Sequence, residues 1–395
     1  MATPFTGEGE RRKGSAELRA LAARRLRPVA DRGAPGRVNR PLLATLGELG
    51  LLSRVVPLAG PVRAQDLCLL RESLAYACTE AETALALQGL GAHPVVAHGT
   101  RAQRARWLPE VAAGRAVAAF ALSEPGAGSD AAALELRAEP TGAGGAARAG
   151  GTAGASGWRL HGEKRWISNA PQADVYTVFA RTGPGTRAAG VTAFLVPADR
   201  PGLGGEPLEM LGPHPVGTLT FDGVPVGPGD VVGEVGRGFH LAMATLDLFR
   251  PSVGAFAVGM ARSALDASVA HAGERRAFGG PLKDLQAVSH LLAEMATRTE
   301  AAALLVQAAA AAYDAGEPGV AARSAMAKLF ATETAQYVVD SAVQIHGARA
   351  LAHGHLLEHL YREVRAPRIY EGASEVQRTI IAKELYRAAG AGASR

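Results

Sequence analysis

The sequence predicts an α+β chain, with an N-terminal helical domain over residues 1–116, a middle β-barrel-like domain over 117–232 and a C-terminal four-helix bundle over 233–395. Three observations lead there. Up to about residue 115, apolar residues recur at spacings of three and four, as on helices with one buried face. From about residue 117, short β-rich runs alternate with turn clusters. After GEVGRGF (233–239) the helical spacing returns and persists. No strand–helix–strand series and no internal repeat occurs along the chain.

In the first segment PLLATLGELGLL, AQDLCLLRESLAYA and RAQRARWLPEVAAG read as helices, punctuated by Gly50, Pro57, Gly60–Pro61, Gly91 and Pro94. Ahead of them, residues 1–14 are expected to form a basic flexible arm. It leads into an amphipathic helix turning Leu18, Leu21, Ala22 and Leu26 inward. The middle segment offers five strands, VAAFALS, GWRLHGEKRWIS, ADVYTVFART, GVTAFLVP and GTLTFDGVPV, whose spacing suits a small barrel or sandwich. The run TGAGGAARAGGTAGASG (141–157) reads as a flexible hairpin loop without chemistry. In the third segment, RPSVGAFAVGMARSALDASVAHAGER is expected to open with Pro251 in its first turn, where a missing N–H does no harm. Two long amphipathic helices follow, then a last one from about Ser374 to Leu385. Short connections suggest a bundle.

Composition narrows the function classes. The chain has 395 residues, 48% apolar and 20% charged, which is ordinary for a globular protein of two or three domains. No uninterrupted apolar run approaches the ~18 residues of a membrane span, and the N-terminus lacks a secretory apolar core. Cys68 and Cys78 have neither metal nor disulfide spacing, so a cytoplasmic location is expected. The net charge is +5, yet residues 1–40 hold ten Lys/Arg against four Asp/Glu, so the remainder is close to neutral. That basic start could serve nucleic acid, ligand phosphates such as those of coenzyme A, an acidic carrier protein, or simply a solvated face. A nucleic-acid partner is not expected, because the chain beyond residue 40 is close to neutral.

The stretch ALSEPGAGSD (121–130) poses a choice between cofactors. Gly126, Gly128 and Ala131 fit G-x-G-x-x-G/A, the phosphate-cradling turn of a dinucleotide fold. That turn needs a strand feeding directly into a long helix. Here Ser123-Glu124-Pro125 intervenes, and AAALELRAEP ends at Pro140. The nicotinamide reading is therefore set aside.

Several stretches point elsewhere together. ALSEPGAGSD, GEKRWISNA, ERRAFGGPLKDLQ, AVQIHGARAL and RIYEGASEVQR occur in this order on an α–β–α chain, with GVTAFLVPADRPGL and FDGVPVGPGDVVGEVGRGF between them. In combination they resemble the acyl-CoA dehydrogenase family, flavoenzymes that bind FAD. The resemblance runs from roughly residue 40 to the C-terminus. It implies α,β-dehydrogenation of an acyl thioester, with a base at Cα and flavin N5 as hydride acceptor at Cβ. It places the base at Glu371, whose pKa burial would raise toward the working range. Some relatives carry the base just before the Arg in LDLFRP; here that position is Phe249, which leaves Glu371 as the single candidate.

The resemblance also implies the remaining contacts. Phe120, Leu122 and Ser123 would line the flavin, Trp166 pack on its ring, and Ser168 reach toward N5. Arg275, Phe278, Gln286 and Gln344 would hold FAD adenosine and diphosphate from a neighbouring subunit, with Gly347, Ala348, Ser374 and Glu375 on the cofactor side. That requires a homo-oligomer, a dimer or tetramer. Ser129, Asp247, Arg250 and Gly372 would meet the acyl-CoA, the glycine admitting a close backbone approach. The thioester oxygen would be met by the backbone N–H of Glu371 and a flavin hydroxyl. Electron-transferring flavoprotein is the implied electron acceptor. Departures from the family pattern are Ala348 in QIHGA, Ala373 in EGAS, and VPLAGP without a Gly-Gly pair. An alternative substrate is an acyl group tethered to a carrier protein, for which the basic arm is suited; an acyl-CoA oxidase is a further one. His353, His355, Glu358 and His359 suggest a metal through the i,i+4 spacing of two imidazoles, but no metal is expected.

Overall fold

The computed structural model describes residues 8–141, 157–183 and 187–392. The chain starts with α1 (Glu8–Leu21), which passes through a π turn (Ala22–Leu26) into α2 (Arg27–Ala30). There follow α3 (Arg40–Glu48), α4 (Leu52–Val55), α5 (Ala64–Ala77), α6 (Thr79–His98) and α7 (Arg101–Ala112). The strands are β1 (Ala118–Ala121), β2 (Arg137–Thr141), β3 (Gly157–Ser168), β4 (Val175–Arg181), β5 (Val191–Pro197), β6 (Leu203–Gly204), β7 (Pro207–Leu208), β8 (Val216–Val226) and β9 (Val231–Val232). Next come α8 (Gly238–Glu274), the ribbon β10 (Arg276–Ala277) and β11 (Gly280–Pro281), α9 (Gln286–Asp314), α10 (Val320–His346), α11 (Leu356–Glu363) and α12 (Ser374–Gly392). Two compact units result. A sheet unit comprises Val29–Val62 and Thr83–Leu246; a bundle unit comprises Met1–Pro28, Arg63–Glu82 and Asp247–Arg395.

In the sheet unit nine strands form one mixed sheet in the order β6-β8-β3-β2-β4-β5-β9, with β1 on β4 and β7 on β8. All five expected strands are present. Strands β4 and β5 are apolar along almost their whole length because both faces are covered, so neither alternates. Helix α6 lies close on β1. A Cβ added to Gly91 would sit 2.6 Å from the Ala119 nitrogen, and the buried Gln88 side chain bonds Ala116 O and Ala118 N, each at 2.7 Å. Strands β2, β6, β7 and β9 carry no sequence signal: β2 is largely exposed and includes Pro140, and the others are two residues long. Thr141 pairs with Gly157 across β2 and β3, while the expected hairpin loop between them falls at 142–156, outside the described residues.

In the bundle unit α8, α9, α10 and α12 supply the four long helices. Gly259 lets α8 meet α5 closely, because the Glu72 carbonyl occupies the space a Cβ would need. Two expectations need correction. Helix α8 starts at Gly238, so Pro251 lies inside it and not in its first turn. The Asp247 carbonyl that Pro251 cannot reach accepts instead from the Ser324 hydroxyl at 3.5 Å. The arm expected over 1–14 is helical from Glu8, because α1 packs on α5; residues 1–7 lie outside the described residues. Buried Glu72 gathers Arg11 (3.3 Å), Arg19 (3.8 Å) and Arg262 (3.1 Å). Leu18, Ala22 and Leu26 face inward as expected. By length and composition α8 could cross a membrane, although no unbroken apolar run occurs; 83% of its most apolar window is buried within the protein.

Candidate active site

Strand β1 ends at Ala121 and the chain turns through Leu122, Ser123 and Glu124. Lys164 of β3 fixes this turn. Its Nζ donates to the Leu122 carbonyl at 2.9 Å and to Glu124 Oε1 at 2.7 Å. The Glu124 carboxylate also accepts the N–H groups of Glu135 (2.6 Å) and Leu136 (2.9 Å). Burial pulls the Lys164 ammonium down to about 8, against the pull of Glu124. One residue on, the Arg165 N–H donates to the Ser123 carbonyl at 3.0 Å. The β3–β8 register shifts between Lys164 and Ile167, and inside that bulge Trp166 has φ +57 and is 47% exposed. The bulge therefore aims the indole out of the sheet. Phe120 and the buried Leu122 support the same edge, Phe120 packing on Phe179 with ring centroids 4.9 Å apart. The Ser123 and Ser168 hydroxyls have no hydrogen-bond partner among the described residues. An open indole beside two free hydroxyls fits a ring with an apolar face and a polar edge, as in FAD.

The glycines that follow do not make a nucleotide turn. Glu124 and Ala127 pair across a tight turn, and a three-residue 3₁₀ turn (Ala131–Ala133) takes the place of a long helix. Ser129 stands exposed there, without a partner among the described residues.

The bundle unit builds its own constellation on the turn between α11 and α12. Glu371 has φ +51 and Gly372 φ +96, so two successive residues are left-handed, a strained arrangement for the glutamate. Four hydrogen bonds hold them. The Glu371 carbonyl accepts from Arg250 Nε (3.4 Å) and Gln377 Nε2 (3.2 Å). The Gly372 carbonyl accepts from Gln377 Nε2 (2.8 Å) and Lys328 Nζ (2.7 Å). Glu371 Oε2 is buried with no hydrogen-bond partner, and the Glu371 backbone N–H has no acceptor among the described residues. Burial raises the carboxyl above its ordinary value, opposed by the charges of Arg71, Lys328 and Arg250. Arg71 is itself buried, paired with Glu82 and donating to the Ser252 hydroxyl at 2.8 Å. Asp247 pairs with Arg250 at 2.7 Å, and Arg250 in turn reaches the Glu371 carbonyl; burial raises Asp247 while Arg250 opposes the rise.

A second group gathers where α8 and α10 end side by side, joined by stacking of His271 on His346 with ring centroids 4.2 Å apart. Arg275, Phe278, Gln286, Gln344, Gly347 and Ala348 are all poorly packed here or close by in sequence; Phe278 is 93% exposed at φ +50. The Arg275 guanidinium has no partner among the described residues. A free guanidinium with an open aromatic ring fits phosphates and a flat base. Ser374 and Glu375 behave differently. The buried Ser374 hydroxyl donates to Glu333 at 2.6 Å and Glu375 pairs with Arg378 at 3.4 Å, so both brace the start of α12.

The histidines of 353–359 have separate duties. His355 Nδ1 caps α11 by accepting the Leu357 N–H at 3.1 Å, His359 bonds the Thr79 hydroxyl at 2.6 Å, and His353 faces Glu358 at 3.4 Å. Sequence reasoning missed Lys164, Glu124, Arg71, Lys328 and Gln377. One signal was present: Lys328 sits on the same helical stripe as Ser324, Ala325, Ala331 and Thr332, where a charge is out of place.

Comparison with known proteins shows the family. Models of the acyl-CoA dehydrogenase N-terminal, middle and C-terminal domains match residues 9–115, 119–224 and 236–386. Cyclohexane-1-carbonyl-CoA dehydrogenase of Geobacter metallireducens is 34% identical over 380 residues, covering 94% of this chain and 96% of the relative. The butyryl-CoA dehydrogenase structure from Megasphaera elsdenii superposes with a TM-score of 0.86 at 30% identity, over 98% of this chain and all of that one. A chain from a structure of the electron transferring flavoprotein of Acidaminococcus fermentans gives a TM-score of 0.87 at 31% identity, over 98% of this chain and 100% of that chain. Three domain matches in order, on a shared fold, make this chain a member of the acyl-CoA dehydrogenase family, an FAD-dependent oxidoreductase of acyl-CoA substrates.

Proposed function

We propose that Glu371 is the base that removes the α-proton of a bound acyl-CoA in its conversion to 2-enoyl-CoA. The observation that carries this reading is the buried, unpartnered Glu371 Oε2 on a strained turn, with its carboxyl raised by burial. Such a carboxylate is a stronger base than one in water. The free N–H of Glu371 is suited to meet the thioester oxygen as charge develops there. Gly372 leaves the approach open, and Asp247 can accept a pantetheine amide N–H while Arg250 holds it in place. Bound FAD supplies the hydride acceptor. Trp166, Ser123 and Ser168 hold its ring from the sheet unit, with Phe120 and Leu122 behind them and Ser129 toward the substrate.

In the same reading Arg275, Phe278, Gln286, Gln344, Gly347 and Ala348 take the adenosine and diphosphate of a neighbouring subunit's FAD, while Ser374 and Glu375 brace the base turn next to it. Oligomerisation is supported by apolar side chains left open on α9, α10 and α12: Leu304 (56%), Phe330 (37%), Leu385 (62%) and Tyr386 (80%). Electron-transferring flavoprotein is the proposed electron acceptor, as the family membership implies. The proposed location is cytoplasmic, and the proposed domain limits are 1–116, 117–232 and 233–395. Against the carrier-protein alternative, Arg11 and Arg19, two cations of the basic N-terminal segment, are directed at Glu72.

Anaerobic flavin bleaching across acyl-CoA and acyl-carrier-protein substrates tests the reading. The wild-type protein should be yellow and bleach with an acyl-CoA, and Glu371→Gln should bind the same ligand without bleaching. Turnover retained by Glu371→Gln would move the base elsewhere, and rapid reoxidation by oxygen would favour an oxidase.

A further inference from the structure

The reaction as described leaves one buried cation without a task. Lys328 of α10 is fully buried among small residues, and no carboxylate lies at ion-pair distance from it among the described residues. A methionine could occupy similar space without desolvating a charge. The Lys328 ammonium donates to the Gly372 carbonyl at 2.7 Å, immediately after the glutamate that the proposed function makes the base. Burial lowers its pKa to about 8, and Glu371 is the largest influence opposing that fall. Arg250 also reaches this turn, but it is shared with Asp247 at 2.7 Å. Gln377 bonds both carbonyls but carries no charge. Lys328 alone combines a hydrogen bond to the turn with a charge directed at Glu371 and no other partner.

We propose that Lys328 is a positioning residue for the base: it clamps the Gly372 carbonyl, so that Glu371 keeps its left-handed backbone, and its charge holds the carboxylate ionised. The inference rests on Glu371 being the base. The charged groups around that carboxylate are Arg71 from α5, Arg250 from α8 and Lys328 from α10, with Tyr370 on its own turn. Glu82 lies beyond Arg71, and Glu333 and Glu375 act on Lys328.

The test uses flavin-loaded Lys328→Met, Lys328→Gln and Lys328→Arg. Anaerobic bleaching at saturating acyl-CoA is followed from pH 5 to 9 beside the ligand dissociation constant. Removing an opposite charge at this range moves a carboxyl by roughly one pH unit. The acid limb of the bleaching rate should therefore shift upward by about that much in Met and Gln variants, with rates at neutral pH lowered about tenfold or less. Ligand affinity should barely change, and Lys328→Arg should restore the limb. An unshifted limb in Lys328→Gln overturns the proposal, as does an equal loss of rate in all three variants with no change in pH profile. Should Lys328→Met lose its flavin or fail to fold, the Gln and Arg variants decide. Glu371→Gln is run in parallel. If it still bleaches, the base assignment fails whatever Lys328 does; if it is silent while the limb is unshifted, only the role of Lys328 fails.

Discussion

Glu371 shows how much one residue's chemistry depends on groups its own segment does not contain. The motif RIYEGASEVQR singles out the proposed base, but the raised pKa comes from burial, and its restraint comes from Arg71, Lys328 and Arg250 on three different helices. A pH dependence of stability follows. A carboxyl raised in the folded state contributes stability that is fully present below its ordinary pKa of 4.5 and lost as pH rises through the raised value. Glu371→Gln removes that loss. Thermal melts should show the variant more stable than wild type at neutral pH, with the gap closing toward pH 4.5. A wild type that is the more stable at neutral pH would mean the three cations outweigh desolvation. Gly372 is constrained in another way: at φ +96, an alanine is expected to cost about 1–3 kcal/mol and to slow bleaching by displacing the turn that carries the proposed base.

At the level of elements, β3 carries two tasks that a strand pattern does not reveal. Its alternation predicts a strand, and a strand is found. The bulge between Lys164 and Ile167 exposes Trp166, while Lys164 turns inward to fix the Leu122–Ser123–Glu124 turn. Lys164→Met removes one partner of a buried pair and should destabilise by about 3 kcal/mol. It should also lower the flavin-to-protein ratio, read from absorbance, because the Ser123 turn loses its anchor. A variant that melts lower but keeps full flavin would leave Lys164 with a purely structural part. Helix α8 holds the opposite lesson. Pro251 suits a helix start because its missing N–H is harmless there, yet the helix runs through it with the Asp247 carbonyl turned to Ser324. Local propensity yields where neighbouring helices bury the segment on all sides.

For the molecule as a whole, assembly and cofactor retention should be linked. The side chains of Arg275 and Phe278 hold little within their own unit, the Phe278 ring being 93% exposed and the Arg275 guanidinium without a partner among the described residues. The double variant Arg275→Ala with Phe278→Ser should leave the melting temperature of flavin-free protein unchanged while lowering retained FAD several-fold. Full flavin content in that variant would remove these residues from the cofactor site. What the sequence determined by itself is local: helical, β and helical segments in order, the core face of the first helix, and the motifs that point to FAD and to Glu371. Periodicity and motif spacing are properties of neighbouring residues, so they survive without a fold. The tertiary structure alone decided that Lys328 faces Glu371, that Lys164 anchors the Ser123 turn, and that Arg11 and Arg19 turn to Glu72. Coulomb forces and desolvation depend on distance and burial in space, and helices α5, α8 and α10 bring their charges to one carboxylate only once they pack.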